Sequence, residues 1–136
     1  MATTNGRIRE LQQVRGDEMD AIHRLLAYGA VAGIVIGIGW SLVLAVSPRR
    51  AHPVFERLQA AVVSVLIVGA ASGLVLLFTG PPPAETLHFV YALLALAFIP
   101  LARSFLGRAS GRRLGLLFSV AFVALGAVVY RLFTTG

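Results

Sequence analysis

A chain of 136 residues that is 57% hydrophobic and 13% charged, with a mean hydropathy of +0.83, lies far from the soluble average of about 25% charged residues. Its composition is that of an integral membrane protein. The net charge of +6 comes from 12 arginines with no lysine, so every positive charge is permanent and suited to gripping phosphate. In so apolar a chain it points to membrane topology and phospholipid contact, not to nucleic acid. The absence of cysteine excludes disulfides, thiolate metal sites, iron–sulfur ligation and thiol redox chemistry.

Residues 1–19 form a polar segment containing acids and no early apolar run, unlike a secretory signal or an organelle transit peptide. Ile8, Leu11, Arg15, Met19 and Ile22 fall near one helical stripe, so a short amphipathic surface helix is expected, with an unstructured tail as the alternative. Gly16-Asp17-Glu18 reads as a helix start, because acids in a first turn complement the positive end of the helix dipole. Residues 20–136 are then expected to form one all-α domain, a four-transmembrane-helix bundle.

The first span, Leu25–Val46, is about 22 residues without a charge, enough to cross a bilayer core as a helix. Gly29, Gly33 and Gly37 recur every fourth residue and place three positions without side chains on one face, where another backbone can approach. The span is expected to end at Ser47-Pro48, followed by a short basic loop carrying Arg49, Arg50 and Arg57. Leu58–Thr79 is the second span, and its Gly69 and Gly73 are the natural partners for the first glycine row. Gly80-Pro81-Pro82-Pro83 is a rigid turn that leads into the third span, residues 84–102, whose far end Pro100 should kink or loosen. After the arginine-rich stretch 103–113, a shorter fourth span runs over residues 114–131 and needs tilt or arginine snorkelling to cross.

Seven arginines (49, 50, 57, 103, 108, 112 and 113) sit in the first-to-second and third-to-fourth connections, and none sits in the second-to-third. By the positive-inside rule those basic connections face the cytoplasm of a bacterial cell and both termini lie outside the inner membrane. Arg7, Arg9, Arg15 and Arg24 run against this assignment, but acids accompany them. Tyr28, Tyr91 and Tyr130 then fall near the outer interface, and Arg49, Arg50, Arg103, Arg108, Arg112 and Arg113 are placed to meet lipid head groups.

Two carboxylate–imidazole turns are the candidate chemistry, Asp20-x-x-His23 before the first span and Glu85-x-x-His88 opening the third. Each pair lies one helical turn apart, and if the first and third spans adjoin, all four side chains converge at the outer surface. Three uses are sensible. His23 and His88 could ligate haem b. Asp20, His23, Glu85 and His88 could bind a metal, although a carboxylate-bridged di-iron site would also want acids from the other two helices. The histidines could receive protons from a quinol, with Tyr28 or Tyr91 donating a hydrogen bond. The plainer reading makes the acids dipole partners and the histidines interfacial residues. No charge lies mid-span, which disfavours a proton-coupled transporter, and no hydrolase or kinase motif occurs.

Gly80-Pro81-Pro82-Pro83, the run LHFVYALLALAFIPLAR over residues 87–103, and the closing Arg131-Leu132-Phe133-Thr134-Thr135-Gly136 resemble small uncharacterised four-span bacterial membrane proteins, some of which accompany quinol-oxidising electron-transport complexes. The resemblance covers roughly the second half of the chain. It implies a non-catalytic accessory subunit of a respiratory or photosynthetic complex, bound to other membrane-protein subunits and shaping a quinone or lipid pocket. The alternatives are a small b-type cytochrome and, behind it, a channel or transporter.

Overall fold

The computed structural model describes residues 2–79, 85–106, 108–109 and 111–135, with the side chains of all of these except residues 2–5, 8, 9, 12, 48–52 and 79. They form α1 (Ala2–Val46), α2 (Pro48–Thr79), α3 (Leu87–Leu106) and α4 (Gly111–Thr135). All four are long and apolar enough to cross a membrane. The chain is an all-α, multi-pass membrane protein.

The helices are longer than the uncharged stretches within them. α1 runs through Gly16-Asp17-Glu18 without a break, so the expected helix start there is corrected. A single interior glycine costs about 1 kcal/mol relative to alanine, and the arginine, glutamate, glutamine and leucine around it favour the helix. The acids sit mid-helix, where Asp20 pairs with Arg24 one turn on. At 1.5 Å per residue α1 is about 67 Å long against a hydrocarbon core of about 30 Å, so its first turns stand clear of the bundle. The basic loop expected after Val46 is also corrected. Only Ser47 separates α1 from α2, its amide donating to the Val43 carbonyl at 2.8 Å, and Pro48 opens α2, a position where its missing donor costs nothing. α3 starts at Leu87 and continues beyond Pro100 to Leu106. The Gly80–Pro83 turn and Ala84 lie outside the described residues.

Lateral packing is read from what faces each glycine. A Cβ at Gly29 would meet Val65, one at Gly33 would meet Val62, one at Gly69 would meet Leu26, and one at Gly73 would meet His23. The sum of the paired numbers is nearly constant, which is the signature of antiparallel neighbours, so α1 and α2 pack antiparallel with each helix's side chains seated over the other's glycines. Glycine thus faces side chain across the pair, not glycine. α1 and α4 keep a second antiparallel register, Ala45 with Gly115, Gly37 with Phe122, Ile34 with Gly126 and Tyr28 with Phe133. α4 also packs against α3, α2 and α3 meet lightly, and α1 and α3 stand on the diagonal without adjoining.

The core is strongest at the end where α2 and α4 begin. Phe122 and Leu125 are fully buried, and Phe55 meets Phe118 edge to face at 5.2 Å and Phe122 at 6.3 Å. The outer surfaces are aliphatic, with Leu25, Val35, Leu93 and Val120 all more than half exposed, as expected where hydrocarbon is the solvent.

Gly115 makes the closest backbone approach of these glycines, because a Cβ there would stand 2.5 Å from both the Ser41 carbonyl oxygen and the Ala45 amide nitrogen. Gly115→Leu should therefore part α1 from α4 and destabilise the bundle by at least about 1–3 kcal/mol, the usual cost of overpacking. Gly39→Ala, with open space around it, should stay within about 0.5 kcal/mol of wild type. Unfolding in mixed detergent micelles measures both.

Candidate histidine-walled cavity

His23 stands one turn beyond Asp20 on the face of α1 that meets α2. It fits there because Gly73 lacks a side chain: a Cβ at that position would lie 3.1 Å from the imidazole Cε1. Nδ1 is 3.1 Å from the Gly69 carbonyl oxygen and 3.0 Å from Ser72 Oγ. The Ser72 hydroxyl donates to the same Gly69 carbonyl at 2.8 Å, so its oxygen faces the imidazole as an acceptor. With two acceptors around it, Nδ1 carries the proton in the neutral ring, and Nε2 is left as the bare, accepting nitrogen.

His88 lies in the first turn of α3. Its amide donates to the Glu85 carbonyl at 3.0 Å, and the Glu85 amide donates to the Thr135 carbonyl at 3.2 Å, which ties the start of α3 to the end of α4. The Nδ1 of its ring is buried with no hydrogen-bond partner.

Both imidazoles line one cavity of about 310 Å³. It exists because small side chains face inward at this end of the bundle, among them Ala30, Ala70, Ala92 and Ala95, with Val65 and Val129 completing much of the wall. Asp20 and Arg24 also border it, paired with each other and about half or more exposed. The two histidines come to a common space although their helices do not adjoin, because the cavity lies between the diagonal pair.

The other candidates are distributed differently. The Glu85 side chain is exposed and is not part of the cavity wall. Among the described residues no three His, Asp or Glu side chains come together at metal-binding spacing, so the four-residue metal set is not assembled. Tyr28 is exposed, with its ring 5.7 Å from that of Phe133, a wall residue, whereas Tyr91 is half-buried away from the wall. At the opposite end Arg103 pairs with Glu56 at 3.5 Å, and Arg108, Arg112 and Arg113 are exposed. The side chains of Arg49, Arg50 and His52 lie outside the described residues. Ser72 and the small-residue walls were not singled out from sequence as parts of a site. The available signal was the spacing of Ser72 three residues after Gly69 on a helix expected to face the first.

Ser72→Ala removes one of the two acceptors that hold the Nδ1 proton, at a cost of about 1 kcal/mol. Ring ¹⁵N shifts should report the Nδ1–H form for His23 in the wild type and a mixture of tautomers in the variant. No protein-family model matches this chain, and no curated protein or solved structure is detectably similar to it, so the cavity itself is the basis for a functional reading.

Proposed function

We propose that the chain is a non-catalytic subunit of a larger membrane assembly and that it holds a small lipid-soluble molecule in the cavity between His23 and His88. The cavity carries the reading: it is apolar, it is of ligand size, and it has a few fixed polar groups on opposite helices. Its chemistry supports binding more than turnover. The carboxylate on its border, Asp20, is committed to Arg24, and alanine, valine and leucine make up much of the wall. The aliphatic outer faces of the helices offer surface for neighbouring subunits as well as lipid. An electron-transport setting rests on the resemblance in the second half of the chain.

In this reading the arginine-bearing end lies in the cytoplasm of a bacterial cell, and the cavity and both termini lie on the outer side of the inner membrane. Arg103, Arg108, Arg112 and Arg113 anchor that end among anionic head groups. A membrane-impermeant maleimide should label Glu18→Cys in intact cells and Arg108→Cys only after permeabilisation. Labelling of both, or the reverse pattern, overturns the orientation. Native purification in a mild detergent should bring down stoichiometric partner subunits, and a clean monomer counts against the subunit reading.

A second reading, a b-type cytochrome, draws support from two histidines on diagonal helices sharing one space. The fit is poor. A cavity of about 310 Å³ is at the lower end of the range for small-molecule sites, and a porphyrin is several fused rings wider than a single aromatic ring. The unpartnered nitrogen of His88 is also Nδ1, buried and crowded by its own Cβ. Protein purified with haem supplied should accordingly show no Soret band that disappears on His88→Ala; such a band would favour the cytochrome.

A further inference from the structure

We infer that the cavity is a phospholipid site selective for a zwitterionic head group with a primary ammonium, as in phosphatidylethanolamine. One acyl chain fills the space between the helices, and the Asp20–Arg24 pair receives the head. The inference rests on the ligand-holding reading above and names the ligand.

The cavity carries its charges at one end. Asp20 and Arg24 border it in the turn just before the uncharged stretch that begins at Leu25, which is the depth of phospholipid head groups at the edge of the hydrocarbon core. From Asp20 the wall descends α1 as far as Ala30, about 15 Å along the helix axis at 1.5 Å per residue. The α3 wall descends beside it from His88 to Ala95, and Val65 and Val129 close the deep end. A slot that follows the helices, charged at the interface and aliphatic below, has the axis and the polarity of a lipid chain with its head group attached. Its volume of about 310 Å³ is at the lower end for small-molecule sites, room for a single chain. The light contact between α2 and α3 lets that chain enter from the bilayer while the second chain stays in it.

The head group follows from the ion pair at the mouth. The pair is made through Arg24 Nη2 and Asp20 Oδ2, so Asp20 Oδ1 and the other guanidinium N–H groups keep their hydrogen-bonding capacity. Both side chains are about half or more exposed and can be reached. Adjacent opposite charges are matched by a head group that brings both signs, its phosphate to the guanidinium and its ammonium to the carboxylate. A purely anionic head group, as in phosphatidylglycerol, meets Arg24 but is repelled by Asp20. Phosphatidylcholine has both charges, yet its trimethylammonium has no N–H to donate to Oδ1 and keeps its charge farther from the oxygen.

The test is titration of the full chain, delipidated in a mild detergent, with bound lipid counted by native mass spectrometry. The probes share identical acyl chains: phosphatidylethanolamine, its N-monomethyl and N,N-dimethyl derivatives, phosphatidylcholine and phosphatidylglycerol. Phosphatidylethanolamine should bind about threefold or more tightly than phosphatidylcholine, the size of one partly exposed charge-assisted contact, with the methylated forms between them in order. Asp20→Asn should bring phosphatidylethanolamine and phosphatidylcholine level. Ala92→Phe, which fills the cavity from α3, should remove the tight site for every lipid, and glycerophosphoethanolamine, the same head without chains, should not compete. The lipid series on the wild-type chain and on Asp20→Asn stands even if Ala92→Phe fails to fold. Equal binding of phosphatidylethanolamine and phosphatidylcholine, a preference that survives Asp20→Asn, competition by the chain-free head group, or binding unchanged in folded Ala92→Phe each overturns the inference while leaving a ligand-holding cavity in place. Binding of none of the five lipids overturns both.

Discussion

The bundle depends on the contact between α1 and α4 at Gly115. In hydrocarbon, helices gain little by hiding apolar surface from one another, so association rests on how closely two backbones can pack and on dispersion along the seam. At Gly115 the absence of a side chain lets α4 lie directly against the Ser41 and Ala45 backbone of α1. That contact makes α1 the shared partner of α2 and α4, and α4 in turn carries α3. The glycine row of α1 serves both neighbours: Gly29 and Gly33 receive Val65 and Val62 of α2, whereas Gly37 receives the Phe122 ring of α4.

The two ends of the molecule are filled differently, and the difference is what leaves a cavity. Phe55, Phe118 and Phe122 crowd the interior where α2 and α4 begin, giving a ring-packed plug. At the other end alanines and a glycine occupy the equivalent inward positions, and four helix backbones held at the same spacing enclose space that small side chains do not fill. Two imidazoles line that space, and that of His23 is anchored by the Gly69 carbonyl and the Ser72 hydroxyl of α2. The orientation of the His23 ring is thus a property of the bundle.

Much of the architecture was legible from residue order. Four uncharged stretches of membrane-crossing length announced four helices, since a backbone in lipid has few other ways to satisfy its amides. The helix limits were less legible. Gly16 and the basic stretch after Ser47 look like interruptions, but neither contains a residue that outweighs the continuity of the helix around it, and helix extends through both. The acid-x-x-His turns drew attention to His23 and His88, which share a cavity, but the same pattern overvalued Glu85, whose side chain turns outward. The glycine rows were visible as close-packing faces, though not that each would be matched by side chains across the seam. Gly115 passed unnoticed because it stands alone, without a repeat to mark it. Which nitrogen of the His23 imidazole carries the proton was beyond reach, because it depends on a carbonyl and a hydroxyl that only the folded bundle brings alongside.

The unbroken run of α1 has a mechanical consequence. Its exposed first turns and the turn that carries His23 belong to one rigid rod, with no loop or hinge between Gly6 and the cavity wall. A pull or tilt applied to the protruding tip by anything in the aqueous phase is delivered as a lever's motion to the imidazole seated over Gly73. The width of the space between the two histidines is therefore coupled to the angle at which that rod leaves the membrane.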